Sequence, residues 1–574
     1  MKDFASRYGI LTFLTTLAVL EFLVFSPSLA EFFQGDALFW LQHRYRSWSE
    51  FAGGLLTTDV ANWYRPLSNR TIPALFFPWF GIDPYGYHWV VFILFFITTC
   101  AVFFFLRSIV PSFKAAAIGT LFFAIHSINV YVTYDFTFAP ELLYTLFYVV
   151  SCFAFVRKRY GVSIAAFVLA LMSKEAAVTL PANLLLIALL TSSKKRTLKW
   201  TVPHFCILAA YYAYFVRHLN VGTGDYVISF HSEIPRRLID SFKWTFHFFG
   251  RDIGMTIPLL IATSVVIVYF VVSMFDERRR LTFTGLGWFV IGLSPMLGIV
   301  GYFAGYYLLL PLVGVALIVG LSFDWLFSKL QPIGGRFAVA TVTMLLLPFF
   351  LASRLNADEE RRANSSLGFA GQIARTSAAD FKRAYPALQP NTTVLLLNPD
   401  EPDLWRYFGL DALIRLIYAD DSVEVLYSSL GYTASGDLLH SDRLIVMKFE
   451  NGAVRDVTTD FKSNPAAFIT TPIEENHEYI TSERFRLEVT PAEVVAGKGW
   501  YAVQISGAAN TDAELQYRFN DGPIARITVH LNSAGKTRFF VSLITKRGEY
   551  EFVGFRIPPS TQWIRASQTV KVTD

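Results

Sequence analysis

Long apolar runs alternate with short polar gaps throughout residues 1–353. Most of the runs are long enough, at about 1.5 Å per residue in a helix, to cross the roughly 30 Å hydrocarbon core of a bilayer. We therefore predict about eleven transmembrane helices, drawn at residues 8–29, 88–110, 114–133, 139–157, 160–173, 176–192, 200–217, 255–275, 281–300, 304–326 and 336–353.

Lysine and arginine residues fall in alternate gaps between these runs. They are Lys2, Arg7, Arg107, Lys114, Arg157, Lys158, Arg159, Lys194, Lys195, Arg196, Lys199, Arg278, Arg279, Arg280, Lys329 and Arg336. Basic loops are typical of the cytoplasmic face. An odd number of spans then places loops 31–87 and 217–254, and everything after residue 353, on the opposite side. We predict a multi-pass membrane protein with a cytoplasmic N-terminus and an exported C-terminal part.

The exported part has two different patterns. Residues 354–483 start with a charged helical stretch and continue as mixed α/β structure, with strands at 393–397, 422–427 and 443–449 and a helix at 402–418. Residues 484–574 consist of short alternating runs separated by Gly, Asn and Pro turns, a pattern typical of an immunoglobulin-like β-sandwich. We therefore predict three domains, at 1–353, 354–483 and 484–574.

Composition agrees with a membrane protein that carries a water-soluble part. Hydrophobic residues make up 53% of the chain and aromatic residues 16%, and the net charge is +5. The three cysteines, Cys100, Cys152 and Cys206, all lie in predicted spans, so we expect no disulfide in the exported part. The positive charge belongs mostly to the cytoplasmic loops, so membrane lipid rather than nucleic acid is the expected surrounding.

Two stretches outside the spans predict amphipathic helices that lie on the bilayer surface. Residues 37–52 place Leu38, Leu41, Tyr45, Trp48 and Ala52 at helical spacing. Residues 234–249 oppose large apolar side chains to Arg236, Arg237, Asp240 and Lys243. Two such helices could cover a cavity that opens at the outer leaflet.

Charged residues at the predicted outer membrane edge are the first candidates for a site, because charges there are costly unless they bind, react or pair. Asp36 follows the first span and could act as a general base, or simply cap the next helix. Arg65, in the segment 64–67, offers a planar fork for a phosphate or carboxylate, or is simply solvated.

Other candidates lie at the ends of later spans. Lys174 and Glu175 interrupt two apolar runs, either as part of a site or as a solvated turn. His126, Asp135 and Glu141 flank another outer loop, where a structural role for the histidine is the simpler interpretation. No Cys/His spacing indicates a metal site, and no Gly-rich phosphate loop follows a strand.

Taken in order, these motifs resemble the GT-C superfamily of integral membrane glycosyltransferases. They resemble in particular the branch of transmembrane and tetratricopeptide-repeat O-mannosyltransferases and its bacterial relatives, without the repeats. The resemblance covers about residues 1–330. Its motifs are Asp36, Tyr64-Arg65-Pro66-Leu67, Gly81-Ile82-Asp83-Pro84-Tyr85-Gly86-Tyr87-His88, His126, and Ser173-Lys174-Glu175 through Leu180-Pro181.

The resemblance implies transfer of a sugar from a polyprenyl-phosphate donor to a protein, lipid or glycan acceptor at the outer face of a bacterial cytoplasmic membrane. No cofactor would be required, and a divalent metal would be optional. Asp36 would be the base. The remaining implied roles are phosphate binding or positioning by Tyr64, Arg65 and Lys174, orientation of Lys174 by Glu175, and support from His88 and His126.

Two family residues are replaced in this chain. The acid of the motif that begins at His126 is Tyr131 here, and Asp135 or Glu141 could take its place. The arginine of a later motif is Tyr306 here, and Arg251 could supply its charge. We expect Asp36, Arg65, Lys174 and Arg251 to line one cavity that opens outward.

Two other functions are compatible with the sequence. The chain could be a transporter or flippase for a lipid-linked intermediate, a class in which inverted repeats, broken spans and mid-membrane charges are common. Alternatively, it could be a non-catalytic membrane anchor whose β-sandwich binds a partner.

Overall fold

The computed structural model describes residues 2–573 apart from several segments. These are 60–62, 191–194, 216–227, 249–255, 300–302, 364–367, 399–400, 402, 431–437, 469–478, 481–485, 491–492, 496–499, 507–511, 520–524, 531–535, 543–547 and 558–562. By internal contacts the chain divides into two compact units. The helical unit is Met1–Phe32, His43–Val221 and Ile228–Phe369; the C-terminal unit is Phe33–Gln42, Gly222–Val227 and Ala370–Asp574.

The described part of the chain is mostly helical. The helices are α1 (Lys2–Phe25), α2 (Gly35–Gln42), α3 (Trp48–Gly54), α4 (Thr71–Phe80), α5 (Pro84–Ile109), α6 (Phe113–Ile125), α7 (Val130–Tyr134), α8 (Ala139–Val156), α9 (Tyr160–Ser173), α10 (Leu180–Leu190), α11 (Val202–Phe215), α12 (Ile234–Thr245), α13 (Thr256–Ser273), α14 (Arg279–Leu297), α15 (Leu309–Leu330), α16 (Gly335–Ala363), α17 (Ala370–Ala384), α18 (Leu404–Tyr407), α19 (Ala412–Tyr418) and α20 (Thr458–Ser463).

The chain is a multi-pass membrane protein. A helix lies at each of the eleven predicted segments, but the described residues contain six helices long and apolar enough to cross a bilayer. They become seven if the bent pair Phe113–Ile125 and Ser127–Tyr134 is one span, and shorter apolar helices lie at Thr71–Phe80, Tyr160–Ser173 and Glu175–Leu190. The figure of eleven spans therefore stays a prediction.

Helix α15 is the centre of the helical unit, and small residues let its neighbours approach closely. Every residue in the apolar stretch by which this helix could cross the membrane is buried in the protein. A Cβ at Gly314 would overlap the carbonyl oxygen of Gly285 in α14, and one at Gly320 would overlap the carbonyl oxygen of Ala115 in α6. Glycine at such positions allows backbone-to-backbone packing, which is common between membrane helices.

The predicted surface helix at 37–52 is wrong, because the chain forms two helices there. Ser47 is the N-cap of α3 and accepts a hydrogen bond from the Glu50 backbone N–H at 3.2 Å. The sequence Ser-x-x-Glu at 47–50 is a capping signal that marks this helix start. The other helix, α2, belongs to the C-terminal unit, where Leu38 and Leu41 are fully buried.

The second predicted surface helix exists as α12, but Arg237 does not lie on its exposed face. Arg237 is buried and donates to the carbonyl oxygens of Leu297 and Ile299. Leu238 and Phe242 are exposed instead. Arg237 therefore attaches α12 to the helical unit, whereas the sequence pattern predicts that this arginine faces solvent.

The first sheet of the C-terminal unit has the strand order β2-β1-β3-β4. Its strands are β1 (Thr393–Leu397), β2 (Glu424–Tyr427), β3 (Leu444–Glu450) and β4 (Ala453–Asp456). Strand β1 is parallel to both β2 and β3, and its five residues are all buried, as the uninterrupted apolar run predicts. The strands lie close to their predicted positions.

The helix predicted at 402–418 is interrupted, and this is a further correction. Gly409 and Leu410 have φ angles of 61° and 60°, which separate α18 from α19. Left-handed backbone is unfavourable for most residues but not for glycine, so Gly409 ends the first helix here. The glycine is visible in the sequence and marks the break.

The end of the chain is β-rich, as predicted. Its strands are β5 (Tyr479–Ile480), β6 (Arg486–Thr490), β7 (Glu493–Val495), β8 (Trp500–Ser506), β9 (Asp512–Phe519), β10 (Ala525–His530), β11 (Lys536–Ser542), β12 (Gly548–Arg556) and β13 (Trp563–Thr573). One sheet has the order β10-β9-β12-β13-β5 with β7 also on β13, and the other has the order β11-β8-β6. Buried residues from both sheets, including Val503 and Leu515, form one hydrophobic cluster.

Candidate active site

Lys174 and Glu175 lie between α9 and α10, at the point where an apolar hairpin is interrupted by two charges. Helix α9 ends at Ser173, and Lys174 has extended backbone before a short 3-10 turn leads into α10. The interruption turns consecutive side chains in different directions. Each of the two charges therefore finds its own partner.

Lys174 forms a buried ion pair with Glu141 of α8. Lys174 is 3% exposed and Glu141 is 5% exposed. The Lys174 ammonium also faces three aromatic rings, with its Nζ 5.3 Å from the Tyr307 ring centre and 5.8 Å from those of Tyr144 and Tyr306. A lysine ammonium is attracted to the faces of such rings, which helps to stabilise the cation away from water.

Glu175 forms a bidentate ion pair with Arg65. The Arg65 Nε donates to one carboxylate oxygen at 2.9 Å and its Nη2 donates to the other at 2.6 Å. The Arg65 guanidinium also lies 4.5 Å from the Trp63 ring centre. The extended backbone at Lys174 directs its ammonium to Glu141, and Glu175 pairs with Arg65. Orientation of Lys174 by Glu175 stays a prediction.

The segment that carries Arg65 is fixed to the same junction by its backbone and neighbours. The Leu67 N–H donates to the Met172 carbonyl oxygen at 3.2 Å, and the Ser68 hydroxyl donates to the Ser173 carbonyl oxygen at 2.9 Å. The Tyr64 hydroxyl donates to the Leu55 carbonyl oxygen at 3.0 Å. Two motifs far apart in the sequence therefore form one site with two adjacent ion pairs.

The two replaced family residues also lie near this site. Tyr306 is one of the rings around Lys174, and its ring centre lies 5.5 Å from that of Tyr131. The Tyr131 hydroxyl donates to Glu360 of α16. An acid, Glu360, therefore contacts the side chain at position 131. Substitution by Asp135 or Glu141 stays a prediction.

The predicted supporting residues His88, His126 and Asp135 each have contacts in the structure. His88 has a ring nitrogen 3.1 Å from the Glu31 carbonyl oxygen, and Asp135 accepts from the Thr137 N–H at 2.9 Å. His126 lies at the 50° bend between α6 and α7, and its ring stacks on His247 with centres 4.4 Å apart. His247 and its contacts with Ser127 and Ser353 were not found from the sequence, because no local pattern marks it.

The structure does not show Arg251 or Asp36, the last two predicted site residues, beside the ion pairs of Arg65 and Lys174. Arg251 lies outside the described residues. Asp36 is an exposed residue in the first turn of α2, and α2 belongs to the C-terminal unit. Its helix starts at Gly35, so Asp36 is not the cap residue that precedes a helix. Its approach to Arg65 and Lys174 stays a prediction.

No group of three or more His, Cys, Asp or Glu residues placed to hold a metal ion occurs in the part of the chain that the structure describes.

Comparison with known proteins gives structural neighbours only. No family model and no curated protein matches the sequence. ArnT from Cupriavidus metallidurans bound to undecaprenyl phosphate has a TM-score of 0.46 and 12% identity, over 76% of this chain and 92% of that chain. The Archaeoglobus fulgidus oligosaccharyltransferase tethered with an acceptor peptide has a TM-score of 0.46 and 10% identity, over 99% of both chains.

Both neighbours are GT-C superfamily membrane glycosyltransferases.

Proposed function

We propose that this protein is a GT-C-type glycosyltransferase. It moves a sugar from a polyprenyl-phosphate donor to a protein, lipid or glycan acceptor at the outer face of a bacterial cytoplasmic membrane. The observation that carries the proposal is the pair of adjacent ion pairs, Arg65–Glu175 and Lys174–Glu141, at one interrupted apolar hairpin. Buried cations in a membrane protein are costly and usually serve a site.

A lipid-linked phosphate matches the charge and the surroundings of these cations. Arg65 is only 14% exposed, so its charge is weakly screened by water. The carboxylates of Glu175 and Glu141 hold the two cations in place before the anion arrives. The aromatic rings around Lys174 exclude water and strengthen its interaction with an incoming phosphate.

In the proposed reaction, Asp36 takes the proton from the acceptor hydroxyl as its oxygen attacks the anomeric carbon of the sugar. The bond between that carbon and the phosphate oxygen breaks, and the polyprenyl phosphate leaves with the electron pair. Arg65 and Lys174 stabilise the negative charge that develops on the leaving phosphate.

The phosphate site can be tested by binding undecaprenyl phosphate to the purified full-length protein in nanodiscs. We expect Arg65→Gln/Glu175→Gln, which removes both members of one ion pair, to weaken binding at least ten-fold. The matched control Arg278→Gln/Asp276→Asn removes an ion pair at the opposite predicted face, between groups 3.8 Å apart, and should bind normally. Equal affinities for the two variants, or no binding by the wild type, would contradict the proposed site.

The transfer step can be tested with a panel of undecaprenyl-phosphate-linked hexoses, with release of undecaprenyl phosphate as the readout. We expect Asp36→Asn to abolish release and to retain undecaprenyl phosphate binding. Release at the wild-type rate by this variant would remove Asp36 from the role of base.

A flippase is the second candidate, and the 50° bend between α6 and α7 favours it. Broken helices are common in transporters. Movement of labelled undecaprenyl phosphate across proteoliposomes, without release from any hexose donor, would support the flippase instead of the transferase.

A further inference from the structure

Helix α2, which carries Asp36, is built into the C-terminal unit by close backbone packing. A Cβ at Gly35 would overlap the carbonyl oxygen of Arg406 in α18, and a Cβ at Gly409 would overlap the carbonyl oxygen of Gly35. At its other end, the Gln42 amide donates to the Asp421 carboxylate at 2.6 Å. Between these contacts, Ala37, Leu38 and Leu41 are fully buried.

These contacts fix both ends of α2 and its buried face on one unit. A helix of eight residues is too short to be stable in water by itself. Its conformation therefore depends on α18 and α19, the two helices against which it packs.

We propose that the C-terminal unit positions the catalytic base: Gly409 and the backbone of Arg406 both contact Gly35, so they set the place of α2 and bring Arg406 against the residue that precedes Asp36. This inference rests on the proposed function, in which Asp36 is the base. It assigns a role in the transfer reaction to two residues of the C-terminal unit, distant in sequence from every motif of the helical unit. Both are positioning residues, because they act through Asp36.

The charge environment of Asp36 has two opposing contributions. Asp36 keeps an exposed surface, but the protein packed around it raises the pKa of its carboxyl above the usual range, and the positive charge of Arg406 opposes this rise. Two further charged residues lie on these helices. Asp403 is the residue that precedes α18, and Arg415 lies in the last turn of α19. Asp403 lies 3.4 Å from Arg406, and Arg415 pairs at 2.9 Å with Asp411. Of these groups, Arg406 is the one whose charge acts on Asp36.

The placement role is tested by Gly409→Ala in the full-length protein, with Gly452→Ala as the matched control. Both glycines have left-handed backbone, with φ angles of 61° and 78°, but a Cβ at Gly452 meets nothing. Both variants therefore carry the same kind of backbone strain in the same unit. We expect only Gly409→Ala to increase hydrogen exchange in 35–42 and to lower kcat about ten-fold with little change in KM.

Should Gly409→Ala fail to fold, Asp421→Asn provides the same test from the other end of α2. This variant weakens the contact with Gln42 and leaves the glycines intact. We expect increased exchange in 35–42 and a smaller loss of kcat.

The electrostatic role is tested by the pH profile of kcat/KM. Without the positive charge in Arg406→Gln, the pKa of Asp36 rises, so the acid limb of the profile moves to higher pH. Arg406→Lys keeps the charge and should restore the limb. A purely structural role for Arg406 would change the rate without moving the limb.

The outcomes separate this inference from the function on which it rests. An active Asp36→Asn variant overturns the proposed function and the inference together. An inactive Asp36→Asn variant supports the function. In that case, unchanged exchange in 35–42 for Gly409→Ala, or an unmoved acid limb for Arg406→Gln, overturns the inference alone.

Discussion

Lys174 is the most informative single residue in the helical unit, because its charge lies away from water. Its carboxylate partner, Glu141, is 33 positions away in the sequence, and Arg65 is 110 positions from Glu175. The sequence identifies the two charges at 174 and 175 because they interrupt an apolar run. It does not identify their partners, because that pairing depends on how distant helices pack.

Removing one member of the buried pair should be more harmful to stability than removing both. Lys174→Met leaves Glu141 buried without its cation, which we expect to cost about 3–5 kcal/mol of stability. Lys174→Met/Glu141→Gln should recover most of that loss. Thermal unfolding of the purified variants gives the comparison.

The same variants separate structure from function at this position. If Lys174 contacts the donor phosphate, the stable double variant still binds undecaprenyl phosphate at least ten-fold more weakly than the wild type. Wild-type affinity in the double variant would make the pair a structural feature only.

The buried Asp411 carboxyl should make the free energy of unfolding of the C-terminal unit depend on pH. Burial raises the pKa of its carboxyl to about 6, against the opposing charge of Arg415. A raised carboxyl pKa means that the folded state holds the proton more tightly than the unfolded state. Asp411 therefore favours the folded state at low pH, and this contribution is lost as pH rises through about 6.

The measurement is thermal unfolding between pH 4 and pH 8. Asp411→Asn does not titrate, so we expect its melting temperature to depend less on pH across this window than that of the wild type. Identical slopes in the two proteins would contradict the assignment. Asp420→Asn is the control, because side-chain and backbone hydrogen bonds from Ser422 lower the pKa of the exposed Asp420 carboxyl instead.

At the scale of elements, the apolar runs located the helices of the membrane part, and the alternating runs located the strands. Errors occurred where one residue overrides a helical pattern. Ser47 begins a new helix within 37–52, and Gly409 divides 402–418. Both signals are local and visible, whereas the burial of Arg237 requires knowledge of the chain that packs on α12.

Close packing between α14 and α15 gives a prediction about single methyl groups. Gly314→Ala places a Cβ against the Gly285 carbonyl oxygen, so the helices must separate, and we expect a loss of about 2 kcal/mol. Gly161→Ala, in the exposed first turn of α9, meets nothing and should leave stability unchanged or slightly higher. Thermal unfolding in detergent compares the two. Equal melting temperatures would contradict the importance of this contact.

For the whole molecule, the arrangement of basic loops predicts which side each part faces. Cys206 is exposed, so it is first replaced by serine to remove its own reaction. In that background, a cysteine introduced by Arg455→Cys at an exposed position should react with a membrane-impermeant maleimide in intact cells. Arg157→Cys lies in a predicted cytoplasmic gap and should react only after permeabilisation. The reverse pattern would invert the proposed topology and place the C-terminal unit inside the cell.

The division into units was the whole-molecule feature that the sequence could not predict. A boundary drawn from composition follows the chain, and it places residues 33–42 with the membrane part. Contacts place this segment with the C-terminal unit instead. The unit to which residues 33–42 belong is decided by packing between segments that are far apart in the sequence.

The hydrogen bond from Gln42 to Asp421 joins residues 379 positions apart. During biosynthesis, the segment with Asp36 emerges from the ribosome early, while the helices that hold it are still untranslated. If Asp36 is the base, nascent chains and prematurely terminated products would lack a fixed general base, however well their membrane helices insert. Completion of translation would then be required for sugar transfer.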